Sequence, residues 1–143
     1  MLFRSGVLMQ IDLKGKMINK NNLIKSSAVS RFSLVASPDL DHFVISRIDQ
    51  GKMAILNHRS EVIFEKENPG SNELFLTYFE AGRGRLFGFT DPQQEFTYFF
   101  NEKGKSVFAR PLENQGTPAI IAEKSAEIYF FCLNGNRIRR YSH

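Results

Sequence analysis

Hydrophobic positions along this chain alternate with a period of two, and no stretch of a dozen residues keeps the three-and-four spacing of a helix. Residues 42–48 put Phe43, Ile45 and Arg47 on one side and Val44, Ser46 and Ile48 on the other, as a strand requires. Similar runs cover 7–12, 16–19, 31–37, 52–56, 61–66, 73–80, 85–90, 95–100, 105–110, 118–123, 127–132 and 136–141. Gly, Pro, Asn and Asp punctuate them, and these residues supply turn chemistry. Asp91-Pro92 is one instance, with Asp first and Pro second as a type I turn prefers. Residues 20–30 read as a polar connection, and 37–41 as a Pro- and Asp-driven break. The pattern predicts strands throughout and almost no helix.

One hairpin organises the rest. Tyr98-Phe99-Phe100-Asn101-Glu102-Lys103-Gly104-Lys105-Ser106-Val107-Phe108 is an aromatic strand, a four-residue turn ending in Gly, and a returning strand. Comparable units begin their turns at Asp12, Asn57 and Cys132, giving spacings of 45, 44 and 31 residues. Turns are therefore expected at 12–15, 57–60, 101–104 and 132–135. Four short strands per period of about 45 residues is the pattern of a β-propeller blade. One blade cannot cover both of its faces alone, so neighbours stack on it. The expected fold is all-β: an antiparallel β-propeller segment with full blades at 31–67 and 73–113 and partial blades at 6–30 and 117–143. The spacing of 31 predicts that the last unit has lost about one strand and its turn.

Composition changes this picture little. A chain of 143 residues with 42% hydrophobic and 24% charged content is globular and has the length of one domain. Fourteen Phe and four Tyr beside no Trp suit pleated surfaces. The net charge of +4 comes from 19 basic residues scattered among 15 acidic ones, so a solvated surface is expected and nucleic acid is not an expected partner. Cys132 is the single cysteine; it permits no internal disulfide and reads as a small hydrophobe at a strand end. No run is long enough to span a bilayer as a helix, and residues 1–6 lack the layout of a signal peptide. Leu2-Phe3-Arg4-Ser5 matches the translated end of a common sequencing adapter, so residues 1–5 are expected to be foreign and the natural chain to extend upstream.

The repeat resembles the quinoprotein-like and WD40-like propeller repeats, in which a strand enters an Asp/Asn-x-x-Gly turn and leaves it again. Leu86-Phe87-Gly88-Phe89-Thr90-Asp91, followed by the Tyr98 to Gly104 run, is similar to the carboxy-terminal propeller of large bacterial proteins held in the membrane by an amino-terminal segment. That resemblance implies a binding or scaffolding role at the bacterial cell envelope or periplasm. Quinoprotein repeats usually carry one Trp per blade, and this chain has none, so no quinone or other cofactor is expected.

Candidate chemistry is sparse. His42, His58 and His143 do not have the short spacings of metal ligands, and Asp39-Leu40-Asp41 lacks the rest of a calcium loop. Gly82-Arg83-Gly84-Arg85 combines turn glycines with two guanidinium groups that could face one anion. Arg137 and Arg139 share a strand face with Tyr141, and Arg140 lies beside them, so these residues could form an exposed basic face. Arg83, Arg85, Arg137, Arg139 and Arg140 are thus the candidate anion-binding residues; no catalytic or metal-binding residue is identified. A non-catalytic scaffold or sensor segment with a protein partner is the expected function. The alternatives are part of a propeller enzyme whose catalytic groups lie in other blades, and a binder of nucleic acid or another anionic polymer. Oligomerisation through open sheet edges is also expected.

Overall fold

The computed structural model describes residues 1–2, 6–23, 28–36, 43–81, 84–123 and 127–143. Among them are thirteen strands in four antiparallel sheets, and no helix. Sheet I pairs β1 (Val7–Ile11) with β2 (Met17–Asn22). Sheet II runs in chain order through β3 (Arg31–Ala36), β4 (Phe43–Asp49), β5 (Lys52–Leu56) and β6 (Val62–Glu67). Sheet III is built the same way from β7 (Phe75–Ala81), β8 (Gly84–Asp91), β9 (Phe96–Asn101) and β10 (Leu112–Glu113). Sheet IV contains β11 (Ala119–Ala122), β12 (Ile128–Asn134) and β13 (Arg137–Ser142). The sheets are open, and every strand pairs with its neighbour in sequence.

The turns at 12–15, 57–60 and 101–104 are built alike. The backbone N–H of Gly15, Ser60 and Gly104 donates to the carbonyl of Asp12, Asn57 and Asn101 at 3.0, 2.9 and 2.9 Å. The side-chain Oδ1 of each Asp or Asn also accepts from the N–H groups two and four residues on, at 2.8–3.1 Å. One short polar side chain therefore satisfies donors that the tight turn would leave unpaired.

Alternation decides what each sheet covers. On one face of sheet II, Val44, Ile48, Met53, Ile55 and Phe64 meet Leu74, Tyr78, Phe87, Phe89 and Phe100 of sheet III and its entry loop. Phe64 stands edge-on to Phe87 at 5.6 Å between centroids. The opposite face of sheet II offers Ile45, Ala54 and Leu56 to Leu8 and Leu23. Leu86, Phe99 and Leu112 on the far face of sheet III meet Phe130 and Cys132 of sheet IV. Sheets I to IV thus stack in chain order, and sheets II and III are covered on both sides. Each fully buried Phe at these interfaces contributes roughly 1.5–3 kcal/mol of hydrophobic stabilisation.

Three expectations are corrected. Cys132 does not begin a turn: it is buried inside β12, opposite Arg139, and burial pushes its thiol up to about 11. The turn falls two residues later, where Asn134 pairs with Arg137 across Gly135-Asn136. It joins the second and third strands of its sheet, so it corresponds to the turns after Asp49 and Asp91, and the spacings become 42 and 43 residues. Residues 105–110 form no continuous strand: Ser106 makes a single bridge to Phe100, and pairing with β9 resumes only at Leu112. Phe108 leaves the ladder because its ring packs elsewhere, 4.9 Å from Phe130 and 6.0 Å from Phe99, and Pro111 offers no N–H to a ladder. Finally, β2 extends to Asn22, into the region expected to be a connection.

The expected break at 37–41, with His42 and Asp39-Leu40-Asp41, lies outside the described residues. The same holds for Gly82 and Arg83, for residues 124–126, and for residues 3–5.

Candidate functional site

At one end of the stack, the loop entering each of sheets II to IV is tied to the turn between that sheet's second and third strands. In sheet II the Ser30 hydroxyl donates to the Asp49 carboxylate. Arg47 lies on the same face, with Nε 3.2 Å from Asp49 and a terminal nitrogen on Glu65. In sheet III, Asp91 accepts from the Ser71 N–H at 2.6 Å, the Ser71 hydroxyl at 3.2 Å, and the N–H groups of Gln93 and Gln94 at 2.9 and 3.1 Å. Burial pushes the Asp91 carboxyl up, but these four donors outweigh it and hold the group below its ordinary value. Gly70 permits this approach: a Cβ there would lie 2.7 Å from Asp91 Oδ2 and 2.9 Å from a Leu74 methyl. Between sheets III and IV, buried Asn114 donates to Thr97 Oγ1 at 2.8 Å and accepts from the Leu133 N–H at 2.9 Å. Gln115 then accepts from the Gly135 N–H at 2.8 Å.

These ties fix the walls of a groove of about 340 Å³ between the start of β3 and the residues leading into β7. Ile48 and Leu74 supply apolar wall; Phe32 and Phe75 border the groove, but Phe32 packs toward sheet I and Phe75 shares the face of β7 that carries Phe79, away from sheet II. The floor carries Ser33 and Ser46, whose hydroxyl oxygens are 2.5 Å apart. Arg31 and Glu73 face each other at 3.4 Å across the opening, and Gln93 also reaches Glu73. Both charged side chains are at least half exposed, so the pair is worth at most about 1 kcal/mol and can open readily. Both β3 and β7 are terminal strands of their sheets, so each has one backbone edge not used for pairing within its sheet.

The candidate arginines are not gathered in one place. Arg85 stands at the start of β8, 3.7 Å from Glu80, beside a cleft of about 230 Å³ that also includes Lys103, Glu102 and Ile128. Arg137 lies at the other end of the stack, at the turn tied to Gln115. Arg139 points toward sheet III and pairs with Glu113 at 2.9 Å, while Arg140 lies on the opposite face of β13 over the Tyr129 ring at 5.1 Å. Arg83 falls outside the described residues. The groove residues, Ser30, Ser71 and Asn114 went unremarked in the sequence because single Ser and Asn residues have no signature of their own. Their constant distance from Asp49, Asp91 and Asn134, 19 to 20 residues, is the signal that could have found them.

No protein-family profile and no curated protein matches this chain. Among solved structures, one from Bacteroides caccae, described as a protein of unknown function, superposes with a TM-score of 0.52 at 15% sequence identity. The match covers 96% of this chain and 54% of that one, so this chain spans about half the neighbour's length. At this identity the likeness concerns the fold alone: an all-β arrangement of antiparallel sheets. Among the described residues no helix is long and apolar enough to cross a membrane.

Proposed function

We propose that the sheets are consecutive blades of a β-propeller segment and that the segment is a non-catalytic scaffold binding another protein. Chain-ordered stacking, a repeat of 42–43 residues and the side-by-side placement of β3 and β7 support the blade reading. The observation that carries the functional reading is the groove beside β3 and β7. Its apolar walls, hydroxyl floor and readily opened ion pair suit an extended peptide, whose alternate side chains would enter while its backbone meets a strand edge.

Selecting binders from a random displayed-peptide library, then titrating a selected peptide against wild type and Ser33→Trp, tests this reading, because a Trp at this exposed position fills the groove floor. Peptides with alternating apolar residues, losing at least about tenfold in affinity with Ser33→Trp, are expected. A library that yields only peptides indifferent to Ser33→Trp would remove the groove from consideration.

A further inference from the structure

We propose that the side chain this groove takes from a bound peptide is a tyrosine, with its ring between Ile48 and Leu74 and its hydroxyl bonded to the Ser33–Ser46 pair. The inference rests on the peptide reading above and names the partner's anchor. Ser33 and Ser46 are cross-strand partners on the face of sheet II that meets sheet III. Ser46 is 1% exposed, and among the described residues its hydroxyl bonds only that of Ser33, 2.5 Å away. A hydroxyl is one donor with two lone pairs, so the pair uses one hydrogen between its two oxygens. The second hydrogen has no acceptor among the described residues, and the remaining lone pairs have no donor. The same two positions hold Thr77 and Gly88 in sheet III, and Ala119 and Phe131 in sheet IV. Sheet II alone therefore sets two hydroxyls side by side there. At Gly88 the ring of Phe99 lies 3.0 Å from where a Cβ would stand, so the fold already seats an aromatic ring at the equivalent of Ser46.

Charge and reach select among side chains. The described lining holds one cation, Arg31, and one anion, Glu73, and they pair with each other at the opening. Ser33 lies two residues further along β3 than Arg31, about 6.6 Å. Val35 and Val44, the next pair on this face, pack into the core, so the groove ends at the serines. A carboxylate, phosphate or ammonium carried that far would leave water and meet no opposite charge. An aliphatic side chain would suit Ile48 and Leu74 but leave the serine hydroxyls beside a group that cannot bond them. A short polar side chain would leave the apolar walls uncovered. Tyrosine joins an apolar ring to a hydroxyl at its far end, and so matches both.

The test uses the peptides from the displayed library that lose affinity with Ser33→Trp. They are expected to share one tyrosine. Each is titrated with that residue as tyrosine, phenylalanine and phosphotyrosine, against wild type and the double variant Ser33→Ala, Ser46→Ala. Phenylalanine should weaken binding to wild type about fivefold, the worth of one hydrogen bond. In the double variant the two forms should differ by less than about twofold. Phosphotyrosine should weaken binding to wild type by at least about tenfold, since its charge would lie beside a neutral floor. Circular dichroism checks that the double variant folds; if it does not, the three peptide forms on wild type decide. Peptides that share no tyrosine, or that bind wild type equally with phenylalanine, would overturn this inference and leave the peptide reading standing. Tighter binding of the phosphotyrosine form would also overturn it, placing the tip of the side chain at Arg31. A selection in which every peptide is indifferent to Ser33→Trp would overturn both.

Discussion

Substitution at the fourth position of the repeated turn, Gly to Ala at two sites and Ser to Gly at the third, should have three different effects, because the same backbone meets three different surroundings. Gly15, Ser60 and Gly104 sit there at φ of 82°, 67° and 71°. An L-residue in this region costs about 1–2 kcal/mol relative to Gly. At Gly15 nothing lies within 4 Å of an added Cβ, so Gly15→Ala should cost only that backbone term. At Gly104 the Cβ would lie 3.0, 3.1 and 3.3 Å from three atoms of Phe64. The Phe64 ring cannot swing away freely, because Phe87 and Phe100 contact it at centroid distances of 5.6 and 6.2 Å. Overpacking of this kind adds about 1–3 kcal/mol, so Gly104→Ala should cost roughly 2–5 kcal/mol, and Gly104→Val more. Ser60→Gly relieves strain and should stabilise slightly, the gain being offset by the freedom glycine adds to the unfolded chain. In urea, with a slope of about 2 kcal/mol per molar, Gly15→Ala should lower the midpoint by roughly 0.5–1 M and Gly104→Ala by more than about 1 M. Equal shifts for the two would refute the claim that Phe64 holds that turn from across the sheet interface.

Asp91→Asn should cost about 1.5–3 kcal/mol, since four donors point at a carboxylate and an amide must turn its NH2 toward some of them. The folded Asp91 carboxyl titrates below its ordinary value, so its contribution is complete above the unfolded pKa of about 4 and fades as pH falls through the folded one. Urea midpoints between pH 6 and pH 2 should fall less steeply for Asp91→Asn than for wild type. Cys132, buried and with its thiol raised to about 11, should resist alkylation at pH 8 in the folded chain and react at once in denaturant; mass spectrometry of the two samples decides this. Phe108→Ala should cost about 3 kcal/mol, because the half-buried ring touches Phe99, Phe130, Tyr141 and His143. An unchanged thermal midpoint would show that sheets III and IV hold together without it.

The sequence displays its local structure more openly than its long-range structure. Asp12, Asn57 and Asn101 announce their turns, because each turn is satisfied within five residues by one side chain. Lys52–Leu56 is legible to the residue, being a short alternating run between two such signals. The failures at Cys132 and at 105–110 have a common cause. Tyr98-Phe99-Phe100-Asn101 and Tyr129-Phe130-Phe131-Cys132 look alike, yet the fold uses one as a third strand and the other as a second. Only the pairing partners distinguish them. Phe108 reads as a strand residue by alternation, and its ring leaves the ladder for a rival site on sheet IV that no local pattern reveals. The groove was illegible for the same reason: Arg31 and Glu73 are 42 residues apart and meet only because sheets II and III stack.

That every sheet is made of one uninterrupted piece of chain has a kinetic consequence. Each ladder can zip from its own hairpin turns without closing a long loop, so the chain should fold fast for an all-β protein. Stability in such a stack is close to a sum of each sheet's own term and its contact with the next. Sheets II and III have two such contacts, and sheets I and IV have one. Protection of backbone amides against exchange with solvent should therefore be deepest along β4, β5, β8 and β9 and shallowest in β2 and β13, the chain opening from its outer sheets inward.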